Sequence, residues 1–227
     1  KAVEVTRKVT VADTIPPAVT LKGEAEVTVE AGGIYTELGA TALDIVDGDL
    51  TAEIVVAGTV DTSKPGEYNI TYTSSDVSSN ESAPVVRKVT VVDNTAPVLA
   101  LVGEAEVNVE AGSTYTDAGA TALDTVEGDL TTEIVKVSTV DTSKPAEYAV
   151  IYNVSDSDGN EATELSRKVT VVDTTAPVIT LVGLPRVTVD AGATYNELGA
   201  TAADIVDGDI SAQIAITGTV DAETAGE

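Results

Sequence analysis

Carboxylates recur in this chain at a fixed spacing. Asp13, Asp93 and Asp173 stand 80 residues apart, the first two followed by two more acidic spots and the third by one. The first spot supplies Asp44, Asp47 and Asp49, then Asp124, Glu127 and Asp129, then Asp204, Asp207 and Asp209. The second supplies Asp76 with Asn80, then Asp156 and Asp158 with Asn160. Clustered carboxylates can do acid–base work, but that needs one carboxyl held neutral by burial. These acids lie in polar turns such as Asp47-Gly48 and Asp158-Gly159, in a chain with only 3% aromatic residues to platform a sugar. The other chemistry is cation binding. The chain has no His and no Cys, so imidazole and thiolate ligands are absent. Oxygen donors alone favour calcium, whose flexible coordination by six to eight oxygens suits such loops better than magnesium. Two carboxylates about 4 Å apart repel by roughly 4 kcal/mol at an effective dielectric near 20, so gathered acids titrate, spread apart or hold a cation. The plainer alternative is that Asp-Gly and Ser-Asp are good turn formers facing water.

Composition narrows the field further. The formal charge is −26, from 38 acidic and 12 basic residues. Nucleic acid and anionic lipid both need a positive footprint, so neither is expected as a partner, and no membrane-inserting segment is visible. The absence of Cys and His removes disulfides and the usual Cys or Ser–His nucleophiles. We therefore expect no catalysis. Acidity alone could signal disorder, but the chain is 43% hydrophobic and its apolar residues alternate, which indicates folded units.

The elements that must position the acids repeat with them. Asp13-Thr-Ile-Pro-Pro, Asp93-Asn-Thr-Ala-Pro and Asp173-Thr-Thr-Ala-Pro open successive copies, and Gly39, Gly119 and Gly199 keep the same register. Such phasing means tandem modules. Residues 1–12 match the last strand of a preceding copy, 13–92 and 93–172 are whole copies, and 173–227 is a truncated one. The open ends read as a window on a longer chain, with head-to-tail copies completing one another in a filament as the alternative.

Within a module the pattern has period two. Glu26-Val-Thr-Val-Glu30 and Tyr68-Asn-Ile-Thr-Tyr72 alternate, and Val, Ile, Thr and Tyr suit pleated surfaces. Strands are predicted near 18–22, 25–30, 35–44, 52–58, 59–62, 68–75 and 85–92. Seven short strands in about 80 residues imply a small antiparallel β-sandwich of immunoglobulin type. Its core is thin and its stability marginal. Tyr68 and Tyr148 follow Lys-Pro turns, where a tyrosine corner or an ordinary core tyrosine would sit. Tyr35, Tyr115 and Tyr195 read as strand starts rather than exposed binding aromatics. Lys8, Lys88 and Lys168 recur before a valine strand without a recurring Asn opposite, so they read as outward-facing lysines rather than isopeptide donors.

Asp93 with Ala96-Pro-Val98, Val109-Glu-Ala-Gly112, Tyr115-Thr-Asp-Ala-Gly-Ala-Thr-Ala122, Gly128-Asp-Leu130 and Tyr148-x-x-x-Tyr152-x-x-Ser155-Asp-x-x-Gly159-Asn160 resemble bacterial immunoglobulin-like surface repeats of the HYR and DUF5011 type. The resemblance spans essentially the whole chain. It implies an all-β fold of tandem immunoglobulin-like sandwiches, extracellular, on bacterial surface or secreted proteins. Val92-Asp-Asn-Thr-Ala-Pro97 also resembles the calcium-binding linker of cadherins, though without the full acidic run.

In such a sandwich, two loops and the incoming linker meet at one end. The expected calcium ligands are accordingly drawn from Asp13, Asp44, Asp47, Asp49 and Asp76, then Asp93, Asp124, Glu127, Asp129, Asp156 and Asp158, then Asp173, Asp204, Asp207 and Asp209. The second set has the richer loop. The expected role is a structural spacer, stalk or filament segment of a surface adhesin, with neighbouring repeats as its partners. The alternatives are a glycan- or protein-binding module for an unknown surface ligand and an accessory region of a large secreted enzyme.

Overall fold

The structure is a computed structural model that describes residues 2–226. The first module contains β1 (Ala18–Leu21), β2 (Glu26–Glu30), β3 (Ala40–Asp44), β4 (Gly48–Asp49), β5 (Val55–Ala57), β6 (Gly66–Thr73) and β7 (Val85–Val92), with one 3-10 turn at Thr51–Glu53. Two sheets form, ordered β1-β3-β4 and β2-β7-β6-β5. Ile70 and Tyr72 from β6 and Val89 from β7 are buried with Ala40 of β3, and Val19, Leu21, Val29, Tyr35 and Ile54 close over them.

The second module repeats this arrangement as β8 (Val98–Leu101), β9 (Glu106–Glu110), β10 (Ala120–Asp124), β11 (Gly128–Asp129), β12 (Val135–Ser138), β13 (Ala146–Asn153) and β14 (Leu165–Val172). Val150, Tyr152 and Val169 form its core. The third keeps β15 (Val178–Leu181), β16 (Ala200–Asp204) and β17 (Gly208–Asp209). Its stretches 186–190 and 215–217 correspond to β2 and β5 but form no strand. Those strands pair with β7 and β6 in the first module, and no counterparts of β6 or β7 follow within the 227 residues. Pairing, rather than intrinsic propensity, decides whether they form. By contacts, residues 1–97 with 123–129 and 155–161 make one compact unit, and residues 98–122, 130–154 and 162–227 make another.

Four expectations change. The sheets are not wholly antiparallel, because β2 pairs with β7 in parallel, Glu26 opposite Lys88 through Glu30 opposite Val92. The first stretch of chain divides between the sheets: β1 joins β3, then the chain crosses to β7. The strand expected over 35–44 begins only at Ala40, because Glu37 turns back to accept the Gly39 N–H at 2.7 Å and Gly39 has φ +77°. No strand forms over 59–62. Residues 2–12, expected as a last strand, form none and are exposed; Lys1 lies outside the described residues.

The tyrosine reading resolves in favour of a corner. Tyr68 donates its hydroxyl to the Lys64 carbonyl at 2.9 Å, and Tyr148 does so to Lys144 at 3.0 Å. Lys88 and Lys168 are partly exposed and pair with Glu67 and Glu147. Arg87 and Arg167 are buried at 1% exposure on the valine face of their strands. Arg87 pairs with Glu37, and Arg167 with Asp117. A buried guanidinium is tolerable only when paired and hydrogen-bonded. Each accordingly also donates to backbone: Arg87 to Glu24 and Arg167 to Glu104, at 2.9 and 2.8 Å.

Candidate metal centre

The linker aspartates do not stand alone. Asp93 leaves β7, Asp124 ends β10, and Asp156 opens the loop after β13; all three lie in the same compact unit. One carboxylate oxygen from each falls within 4.8 Å of the others, and all three residues are buried. A second group, Asp13, Asp47 and Asp76, gathers at the head of the first module by the same measure.

Local backbone chemistry fixes each carboxylate. Asp124 Oδ1 accepts the N–H groups of Val126 and Glu127 at 2.7 and 3.0 Å, which folds the turn after β10. Asp44 does the same with Val46 and Asp47. Asp156 accepts the Asn160 N–H and side-chain amide, both at 2.7 Å, and Asn160 also donates to the Asp93 carbonyl at 3.2 Å. Asn80 ties Asp76 to the Asp13 carbonyl in the same way. Asp93 Oδ1 accepts the Thr95 N–H at 3.0 Å.

These bonds engage one oxygen of each linker and strand-end carboxylate and leave the other bare. Oδ2 of Asp13, Asp44, Asp93 and Asp124 is buried without a hydrogen-bond partner. A buried unpaired carboxylate oxygen is costly unless something positive meets it. The Thr95 amide pulls the Asp93 carboxyl down, but burial and the charges of Asp124, Asp156 and Asp158 outweigh it and leave it raised. Burial pushes Asp156 up, yet the Asn160 amides with those of Gly159 and Asp158 win and hold it low. Anionic oxygens, bare and convergent, are what a hard divalent cation requires, so the residues present fit calcium. Asp93, Asp124 and Asp156 would hold it, with Asp13, Asp47 and Asp76 doing so at the other cluster.

The remaining expected residues take other places. Glu127 reaches across to the second loop and accepts the Ser157 N–H at 3.0 Å, as Asp47, within the first cluster, accepts that of Val77 at 3.0 Å. Asp158 is exposed. Asp49 and Asp209 each accept the N–H two residues on, at Thr51 and Ser211, where the 3-10 turns begin. Asp129 occupies the equivalent position in β11. The structure brings none of these last three into a carboxylate group. Asp173 is exposed, and Asp204 and Asp207 form only the local turn, with no counterpart of Asp156 before Glu227.

One participant escaped sequence reasoning. Glu30 sits at the end of β2, opposite Val92, and its carboxylate accepts three bonds from the linker. Asn94 donates its N–H at 2.7 Å and its side-chain amide at 2.9 Å, and Thr95 its hydroxyl at 3.0 Å. Glu110 holds Thr174 and Thr175 alike. Recurrence of an acid at 30, 110 and 190 was the available signal, hidden by the polar phase of the alternation.

Comparison with known proteins agrees with the fold. The family described as "Bacterial surface protein, Ig-like domain" matches at residues 19–91, 99–171 and 179–227. Pesticidal crystal protein Cry22Aa of Bacillus thuringiensis is 38% identical over 64% of this chain and 22% of its own length. The outer cell wall protein of Brevibacillus brevis is 30% identical over 87% of this chain and 19% of its own. The chain thus spans about a fifth of these relatives. Protocadherin gamma B2 extracellular cadherin domains 1–5 align at TM-score 0.34 and 13% identity, covering 86% of this chain and 46% of that one. A likeness that weak carries no argument.

Proposed function

We propose, from the premise that the chain belongs to the bacterial surface protein Ig-like domain family, that these modules form a spacer on the cell surface stiffened by calcium at their junctions. A surface structural or accessory module is what the family supplies. The step to calcium rests on one observation: Asp93, Asp124 and Asp156 converge while buried, with Oδ2 of Asp93 and Asp124 unpartnered. The ion would tie Asp93 of the linker to two loops of the module that follows it. In its absence the carboxylates repel, and the linker is the part free to move. Among the described residues no helix is long and apolar enough to cross a membrane.

The affinity expected of such extracellular sites is about 10⁻⁴–10⁻³ M. At ten times the Kd, an occupied site adds about 1.4 kcal/mol by mass action. The test is small-angle scattering with thermal melting, in calcium chloride and in chelator at equal ionic strength. We expect a smaller maximum dimension and a lower Tm in chelator. If neither changes, the acidic loops are solvated turns and the calcium reading fails.

A further inference from the structure

The Glu30 carboxylate is fully committed to the linker that carries Asp93. Its Oε1 takes the Asn94 N–H and the Thr95 hydroxyl, and its Oε2 takes the Asn94 side-chain amide. The Thr95 N–H is meanwhile held by Asp93 itself. Two carboxylates thus grip consecutive linker residues, one from within the linker and one from the module before it. The backbone reinforces this, because the Ala31 N–H donates to the Val92 carbonyl at 2.7 Å and sets Glu30 beside the point where β7 ends. Asp93 itself is buried.

We infer that Glu30 is a positioning residue for the Asp93 metal site, so that a module supplies the support for a site whose other carboxylates belong to the module after it. This rests on the calcium reading above. Glu30 is not a ligand in this assignment, since it is not among the carboxylates that converge with Asp93. It orients the linker so that Asp93 Oδ2 faces Asp124 and Asp156. The metal site is then completed only by tandem linkage, and calcium affinity depends on which module precedes.

The test is a site-resolved calcium chloride titration of the whole chain by NMR. Amides of Thr95 and Gly159 report the Asp93 cluster, and those of Ser79 and Asn80 report the Asp13 cluster. Outer residues that orient metal ligands typically cost 10–100-fold in affinity when removed, so Glu30→Ala should weaken the Asp93 cluster by about tenfold. The Asp13 reporters should titrate as in wild type. Glu110→Ala, which frees Thr174 and Thr175, should shift neither cluster. In chelator, hydrogen exchange at the Asn94 N–H should quicken in Glu30→Ala. Glu30→Gln keeps the side-chain length and serves if alanine loosens the module. Should wild type titrate and both variants titrate identically, Glu30 is a structural brace only and the inference falls while the calcium reading stands. A wild type silent through millimolar calcium overturns both.

Discussion

The first and second modules share one sequence frame, and two of their differences bear on stability and binding, one inside the sandwich and one at its head. Inside, Glu37 faces Arg87 in the first and the shorter Asp117 faces Arg167 in the second. Asp117 also accepts the Tyr152 hydroxyl at 2.7 Å, whereas the equivalent Tyr72 hydroxyl is buried without a partner. Glu37 accepts the Tyr35 hydroxyl, as Asp117 accepts that of Tyr115, and reaches the Gly39 N–H as well. At the head, Asp44 and Asp124 are equally buried, as are Asp76 and Asp156. Only the linker aspartates part company: Asp93 is 6% exposed and Asp13 half-buried. The interior difference is written in the module itself. At the head, Glu30 of the preceding module braces the linker after Asp93.

The interior difference should give the largest measurable effect. Removing one partner of a buried ion pair strands the other, at roughly 3–5 kcal/mol. The Asp117 side chain is 7% exposed, but that of Glu37 is 28% exposed. Asp117→Asn should therefore cost about 3–5 kcal/mol, and Glu37→Gln less, because water screens the exposed carboxylate. Denaturant unfolding, followed by NMR signals from each module, separates the two losses. Equal losses would show that the Tyr152 bond and the deeper burial of Asp117 add nothing.

The head difference predicts a change of sign. In chelator, Asp93 carries a charge that burial and its neighbours disfavour, with its carboxyl raised despite the Thr95 amide. A carboxyl raised in the fold gives stability that is full below its unfolded pKa and lost as pH rises through the folded value. At neutral pH that loss is complete. Asp93→Asn keeps the shape and removes the charge, so it should stabilise the chelated protein by on the order of 1 kcal/mol. For a domain of this size that is about 4–8 °C in Tm. The same variant should abolish most of the calcium-dependent gain at this cluster. Melting curves at neutral pH with and without calcium chloride test both halves. The advantage in chelator should shrink as pH falls into the carboxylate range.

What was legible in the sequence follows the same division. Alternation in Tyr68-Asn-Ile-Thr-Tyr72 and the Lys-Pro turn before it located β6 and its tyrosine corner, because both signals are local. The parallel pairing of β2 with β7 joins residues some 60 positions apart and leaves no local mark. Arg87 was readable in principle, since it stands in phase with Val89 and Val91, yet an arginine in an alternating run suggests the outer face. The convergence of Asp93, Asp124 and Asp156 was legible only by assuming the topology. Asp49 and Asp129, with the same composition and spacing, could not be told from ligands until Asp49 was seen holding Thr51.

Two glycines sharpen the head comparison at the smallest scale. Gly32 has φ +73° and Gly112 φ +76°, conformations that cost an L side chain about 1 kcal/mol or more. Strain is thus nearly equal at the two sites, and any excess reports the surroundings. A Cβ added at Gly32 would meet Thr125 Cγ2 at 3.9 Å, an ordinary contact. One added at Gly112 would lie 2.4 Å from Ile205 Cδ1, so the isoleucine must turn away. Thr125 and Ile205 each occupy the turn that follows the strand-end aspartate, next to Asp124 and Asp204. Gly32→Ala should therefore lower Tm by the backbone strain alone and leave calcium binding at Asp93 unchanged. Gly112→Ala should lower it slightly more and broaden the NMR signals of the turn at 205–208. Identical Tm losses with no change around Ile205 would mean that the isoleucine tip moves freely, and that this contact contributes nothing to holding the turn.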